Sequence, residues 1–195
     1  MENQREKENI WNMPNFLTFC RIIITFVVVY LIFADFHIIY VVISFIIGMP
    51  TDFFDGLIAR KFNLKTEFGR KFDMIADRVL IVGVGLAFVI NFGILGLLTE
   101  SHYLQFVIML IREILTTPVA LVTMALGGGI PQVRTIGKIT TLMQSIAFPA
   151  VLLSVFYPIF NFSLYLVIIT GICGLTSSFY YIRDMRNLII EKRKR

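Results

Sequence analysis

Lysine and arginine are absent from three long, largely apolar stretches of this sequence: Ile22 to Ala59, Val79 to Ile111 and Ile139 to Ile182. A membrane-crossing helix needs about 20 mostly apolar residues, so each stretch holds about two crossings. Breaks at "ADFH" (34–37), "TESH" (99–102) and "YPIFN" (157–161) divide them accordingly. The pattern predicts six helices, at 16–34, 38–60, 71–97, 103–125, 137–157 and 162–183, in one all-α polytopic membrane domain spanning residues 1–195. Composition agrees. Hydrophobic residues make up 57% of the 195 and mean hydropathy is +0.80, beyond the apolar share of about 45–50% usual in soluble domains. That leaves no room for a sizeable soluble domain, and no nucleic-acid partner is expected. The basic residues gather in the N-terminal segment 1–15, around 60–78 and 134–138, and in the tail 184–195. The positive-inside rule then puts these segments and both termini in the cytoplasm, for a multi-pass protein of the cell membrane. The start "MENQREKEN" precedes no plausible cleavage site and is expected to be retained. The tail "EKRKR" suits anionic lipid headgroups.

Against this background the segment "TDFFDGLIARKFNLKTEFGRKFDMIAD", residues 51–77, carries four aspartates. At about 100° per residue, Asp52, Asp55, Gly56 and Ala59 fall on one face of the second helix. Gly69, Asp73 and Asp77 likewise share a face of the third. The short connection at 61–68 predicts that the two helices are antiparallel neighbours, so that the carboxylates converge. Asp52 precedes Arg60 by eight residues, about 12 Å along the helix. Pro50 is expected to kink the helix nearby. An ionised aspartate in hydrocarbon costs at least about 2.5 kcal/mol, and four together repel one another. Pairing with Arg60, Arg70 and Lys71 at a wet helix end accounts for one such residue more readily than for four at helical spacing. Two divalent cations would cancel the charge; carboxylate oxygens are hard ligands suited to Mg²⁺ or Mn²⁺, and such paired sites serve phosphoryl chemistry.

The pattern Asp52-x2-Asp55-Gly56-x2-Ala59-Arg60-x8-Gly69-x3-Asp73-x3-Asp77 resembles at every position the signature of the CDP-alcohol phosphatidyltransferases. "NMPNFLTFCRI" (12–22), "IREIL" (111–115) and "GKITTLMQ" (137–144) extend the likeness over almost the whole chain. Met74 and Arg78 depart from it, standing where related sequences often have Pro and Lys. The resemblance implies six membrane helices, a homodimer, and transfer of the phosphatidyl group of CDP-diacylglycerol to an alcohol with release of CMP. It also implies that Asp52, Asp55, Asp73 and Asp77 bind the two metal ions and that Asp77 serves as general base. Gly56, Ala59, Arg60 and Gly69 would border the CDP moiety, with Asn15 and Thr18 approaching it from the first helix.

The acceptor is read from other cations. Arg112 and Glu113 lie deep in the fourth apolar span, and Arg134 and Lys138 flank the fifth. Glycerol 3-phosphate as acceptor calls for cations that offset its phosphate, and arginine holds such a group in a bidentate fork. Adjacent helix positions do not face each other, which weakens a simple Arg112–Glu113 pair as the explanation. Other acceptors stay open, among them phosphatidylglycerol, as in a cardiolipin synthase, or a serine or inositol headgroup. So do two different functions: a prenyltransferase, which releases pyrophosphate, and a small ion or proton transporter. "GGGIPQVRTIGKIT" (127–140) fails as a phosphate loop, because Gln132 and Ile139 occupy required Gly and Ser/Thr positions. His37 and His102 fall at the opposite membrane face from the aspartates. Cys20 and Cys173 read as small buried thiols.

Overall fold

The computed structural model describes residues 12–62, 66–125 and 135–193, and of these the side chains of residues 50–61, 67, 189 and 191–193 are not described. The described chain forms six long helices: α1 (Met13–Phe33), α2 (Ile38–Lys61), α3 (Glu67–Ile94), α4 (Glu100–Ala125), α5 (Thr135–Ser154) and α6 (Ser163–Arg193). Five are long and apolar enough to cross a membrane; in α2 the apolar portion is the shorter Ile38–Met49. This is the all-α polytopic bundle expected from the charge gaps. The α2 helix continues through Pro50 to Lys61, and "YPIFN" folds into a single 3₁₀ turn at Pro158–Phe160.

Helix starts follow local chemistry. The Asn12 side chain accepts a hydrogen bond from the Asn15 amide at 3.0 Å, and Pro14 occupies the first turn, where its missing N–H costs nothing. Thr66 Oγ1 accepts from the Gly69 amide at 2.9 Å. This cap starts α3 at Glu67, four residues before the apolar run that predicts a start at 71.

The short 61–68 connection is expected to set α2 and α3 side by side, and Met49 of α2 lines a recess with Asp77, Leu80 and Ile81 of α3. The main described neighbours of α2 are α1 and α5, and α1 packs against both α2 and α3. The α1 and α3 helices run in the same direction: Gly69 lies beside Asn15 near their starts, and Asn91 Nδ2 donates to the Ile32 carbonyl at 2.9 Å near their ends. A second trio forms where α6 packs against α4 and α5, and the trios join through α2–α5 and α3–α4.

The core divides by polarity. Towards the ends of α1 and α3 it is aromatic: Phe45 stacks on Phe148 at 4.7 Å, Phe88 meets Phe92 at 4.4 Å and Phe106 at 5.1 Å, and Phe92 meets Phe156 at 5.4 Å. Towards their starts the buried residues include Asn15, Thr18, Arg21 and Thr25 of α1, with Glu113, Thr116, Thr140 and Gln144 across the bundle. Packed rings fill one half of the bundle, and the polar half holds Asp73 and Asp77. His37 and His102 lie beside the helix ends at the far, aromatic end.

Candidate functional site

Arg21 organises the polar half. It lies eight residues into α1, about 12 Å from the helix start, while Asp73 and Asp77 lie about 9 and 15 Å into the parallel α3. Equal depth on parallel helices brings them together: Arg21 Nη1 donates to Asp73 Oδ1 and to Asp77 Oδ1, each at 2.7 Å. The Arg21 side chain is fully buried, whereas the two carboxylates are 36% and 35% exposed. One guanidinium therefore draws two like charges from successive turns onto one spot and leaves them partly open to an approaching ligand.

The corner beside them is tightly built. A Cβ on Gly69 would come within 2.6 Å of Asn15 Oδ1 and 2.9 Å of Thr66 Oγ1, so glycine is required by the approach of α1. Asn15 and Gly69, both sequence candidates for the nucleotide side, are thus in contact. Thr18 is buried, and its hydroxyl donates to the Pro14 carbonyl at 3.1 Å. Asp52, Asp55, Gly56, Ala59 and Arg60 are positions on α2, the helix packed against α1, and their side chains lie outside the described residues.

A second polar group faces the first from α4 and α5. Arg112 Nη1 donates to Thr141 Oγ1 at 3.0 Å and to Gln144 Oε1 at 3.2 Å. Gln144 Nε2 donates to Glu113 Oε2 and to the Met109 carbonyl, each at 3.0 Å. The direct Arg112–Glu113 approach is only 3.8 Å, too long for a hydrogen bond. Gln144 thus links the two residues, in keeping with their adjacent helix positions. A small recess lined by Arg21, Met49, Asp77, Leu80, Ile81 and Thr141 lies between Asp77 and the Thr141 edge of this group. Lys138, one turn before Thr141, is exposed, and Arg134 lies outside the described residues.

Three participants escaped the sequence reading. Gln144 and Thr141 sit in "GKITTLMQ" and carry no signal as single polar residues in an apolar helix. Arg21 did carry one. It stands inside an otherwise uncharged apolar helix, and the cost of an intramembrane arginine, applied above to Arg112, applies equally to it. Its place at the edge of a charge gap made it look like a flanking residue.

Comparison with known proteins agrees with this construction. The family model for CDP-alcohol phosphatidyltransferase matches residues 11–175. The chain is 32% identical over 170 residues to a protein of Wigglesworthia glossinidia brevipalpis named CDP-diacylglycerol–glycerol-3-phosphate 3-phosphatidyltransferase, covering 84% of this chain and 85% of that one. A protein of the same name from Salmonella paratyphi A is 35% identical over 147 residues, 70% of this chain and 74% of that one. Another, from Rickettsia typhi, is 43% identical over 72 residues, and there the match spans only 36% of this chain and 40% of the relative. With a family match running from α1 into α6 and the aspartates of α3 gathered on Arg21, the chain belongs to the CDP-alcohol phosphatidyltransferase family.

Proposed function

We propose that this protein transfers the phosphatidyl group of CDP-diacylglycerol to glycerol 3-phosphate, giving phosphatidylglycerophosphate and CMP. The observation that carries the reading is the convergence of Asp73 and Asp77 on the buried Arg21, with Arg112 held across the bundle by Thr141, which lines a small recess with Asp77. It sets carboxylates suited to a metal-assisted phosphoryl centre beside a cation suited to a phosphate-bearing acceptor. The names of the relatives support the same substrates.

The donor set fits two divalent cations, Mg²⁺ or Mn²⁺. The oxygens are hard, and two of the carboxylates already converge with exposed flanks. Asp52, Asp55, Asp73 and Asp77 would hold the ions, which when bound supply charge stabilisation at the pyrophosphate. Arg21 keeps Asp73 and Asp77 aligned from the buried side. Asp77 accepts the proton of the acceptor hydroxyl as that oxygen bonds to the phosphorus carrying the lipid; the bond from this phosphorus to the CMP oxygen breaks, and CMP leaves with the electron pair. Asn15, Thr18, Gly56, Ala59, Arg60 and Gly69 border the CDP moiety. Arg112 binds the acceptor phosphate, assisted by Lys138 and Arg134. The lipid enters sideways from the bilayer, and the polar substrates arrive from the cytoplasm, where both termini lie. The working unit is a homodimer in the cell membrane.

The test is an acceptor panel with purified protein, CDP-diacylglycerol and Mg²⁺, following CMP release. Glycerol 3-phosphate is expected to give the fastest turnover, and EDTA to abolish it. Preference for phosphatidylglycerol, serine or inositol would keep the transferase centre and replace the acceptor, whereas no CMP release with any alcohol would overturn the reading.

A further inference from the structure

Arg78 is a third intramembrane arginine, after Arg21 and Arg112, and the aspartate site does not use it. It follows Asp77 on α3, and because neighbouring helix positions project about 100° apart, it faces α4 while Asp77 faces Arg21 of α1. Its Nε donates to Thr117 Oγ1 at 2.8 Å, Nη1 to the Met74 carbonyl at 3.0 Å and Nη2 to Thr116 Oγ1 at 3.5 Å. All three acceptors are neutral. Among the described residues Arg78 makes no ion pair. A guanidinium held inside the membrane by neutral acceptors keeps its charge available to an approaching anion.

Arg78 is seated against the turn of α4 that follows Arg112: Thr116, which accepts from Arg78, donates its own hydroxyl proton to the Arg112 backbone carbonyl at 2.8 Å. The Tyr181 hydroxyl, 3.7 Å from Met74 Sδ, lies in the field of both cations. Neutral hydrogen bonds hold the Arg78 guanidinium in place without spending its charge, as a preformed anion site requires.

We propose that Arg78 is a second guanidinium for the phosphate monoester of the acceptor, acting with Arg112 from the opposite flank of Thr116. This rests on the reading of the reaction given above. A monoester suits the pair because its three terminal oxygens can take two forks. Placement favours the acceptor over the donor: an acceptor anchored at Arg78 lies on the flank of Asp77, one residue back, so that a three-carbon alcohol reaches the base.

Full-length Arg78→Gln, Arg78→Lys and Thr117→Val proteins are compared with wild type, titrating glycerol 3-phosphate and CDP-diacylglycerol separately. The rise in thermal unfolding temperature produced by glycerol 3-phosphate alone is measured as well. Arg78→Gln is expected to raise KM for glycerol 3-phosphate at least tenfold, with KM for CDP-diacylglycerol within twofold, and to lose most of the thermal shift. Arg78→Lys, which keeps the charge, should recover part of both. Thr117→Val, which keeps the guanidinium and loosens its orientation, should raise the acceptor KM several-fold. If Arg78→Gln does not fold, the other two variants decide. An unchanged acceptor KM in folded variants, or a rise confined to CDP-diacylglycerol, overturns the assignment while wild-type activity keeps the broader reading. A wild type that prefers an acceptor without phosphate overturns both.

Discussion

A single arginine holding two carboxylates makes Arg21 the residue whose loss is felt most widely. Removing one partner of a fully buried pair costs about 3–5 kcal/mol. Here the carboxylates are about one-third exposed, so Arg21→Gln is expected to destabilise by less, about 2–3 kcal/mol, read as a lower unfolding temperature in detergent. Activity should fall in Arg21→Gln and recover partly in Arg21→Lys. Asp52→Ala, Asp55→Ala, Asp73→Ala and Asp77→Ala are each expected to lower CMP release about a hundredfold or more, because charge stabilisation is the largest single contribution to such chemistry. Substantial turnover in any two folded variants would rule out a shared metal site. Arg112→Gln should raise KM for glycerol 3-phosphate by about tenfold to a hundredfold, the worth of a charge-assisted hydrogen bond. Lys138→Gln should do less, since Lys138 is exposed and Arg112 is held by Thr141 and Gln144.

Helices meet here through missing side chains as well as through ion pairs. A Cβ on Gly171 of α6 would come 2.4 Å from Ile108 Cγ2 of α4, so these helices approach closely only because position 171 has no side chain. Gly171→Val is expected to cost about 1–3 kcal/mol by overpacking. Pairing it with Ile108→Ala should return part of that loss in a double-mutant cycle; additive effects would show that the two residues do not share the contact. The existence and order of all six helices were legible from the charge gaps, because hydrophobic thickness fixes how long each apolar run must be. Their ends were less so. The sixth was expected to stop at 183, yet α6 continues to Arg193, since a helix leaving the bilayer has no reason to end where its apolar face does. Loop length limits which helix ends meet, and packing of side chains such as Ile24 on Gly48 decides which flanks do. The aspartate pattern was visible because its spacing repeats the helical turn. Its partner on α1 was not, because Arg21 and Asp73 are joined only by the fold.

For the molecule as a whole the charge gaps predict an orientation across the membrane that is open to direct labelling. With Cys20 and Cys173 replaced by serine, Lys65→Cys is expected to react only with reagent admitted to the cytoplasm, and Ser101→Cys with impermeant reagent outside intact cells. The reverse pattern would strand the aspartates on the wrong face. Polarity is divided along the same axis.

The bond between Arg21 and α3 also bears on how the chain is assembled during synthesis. The α1 helix is made first and enters the bilayer while Asp73 and Asp77 are still unmade, so its arginine must be tolerated there alone. An arginine near the helix centre costs about 2.5–3.5 kcal/mol on insertion scales. The thirteen Leu, Ile, Val and Phe residues of α1, worth about −0.3 to −0.6 kcal/mol each when central, outweigh that cost. Insertion of α1 therefore proceeds without its partners, with the Arg21 side chain snorkelling towards the nearer interface. A nascent chain halted before Glu67 is expected to hold α1 displaced in that direction, and synthesis beyond Asp77 to draw it to its final depth, so that the arrival of α3 completes the seating of α1.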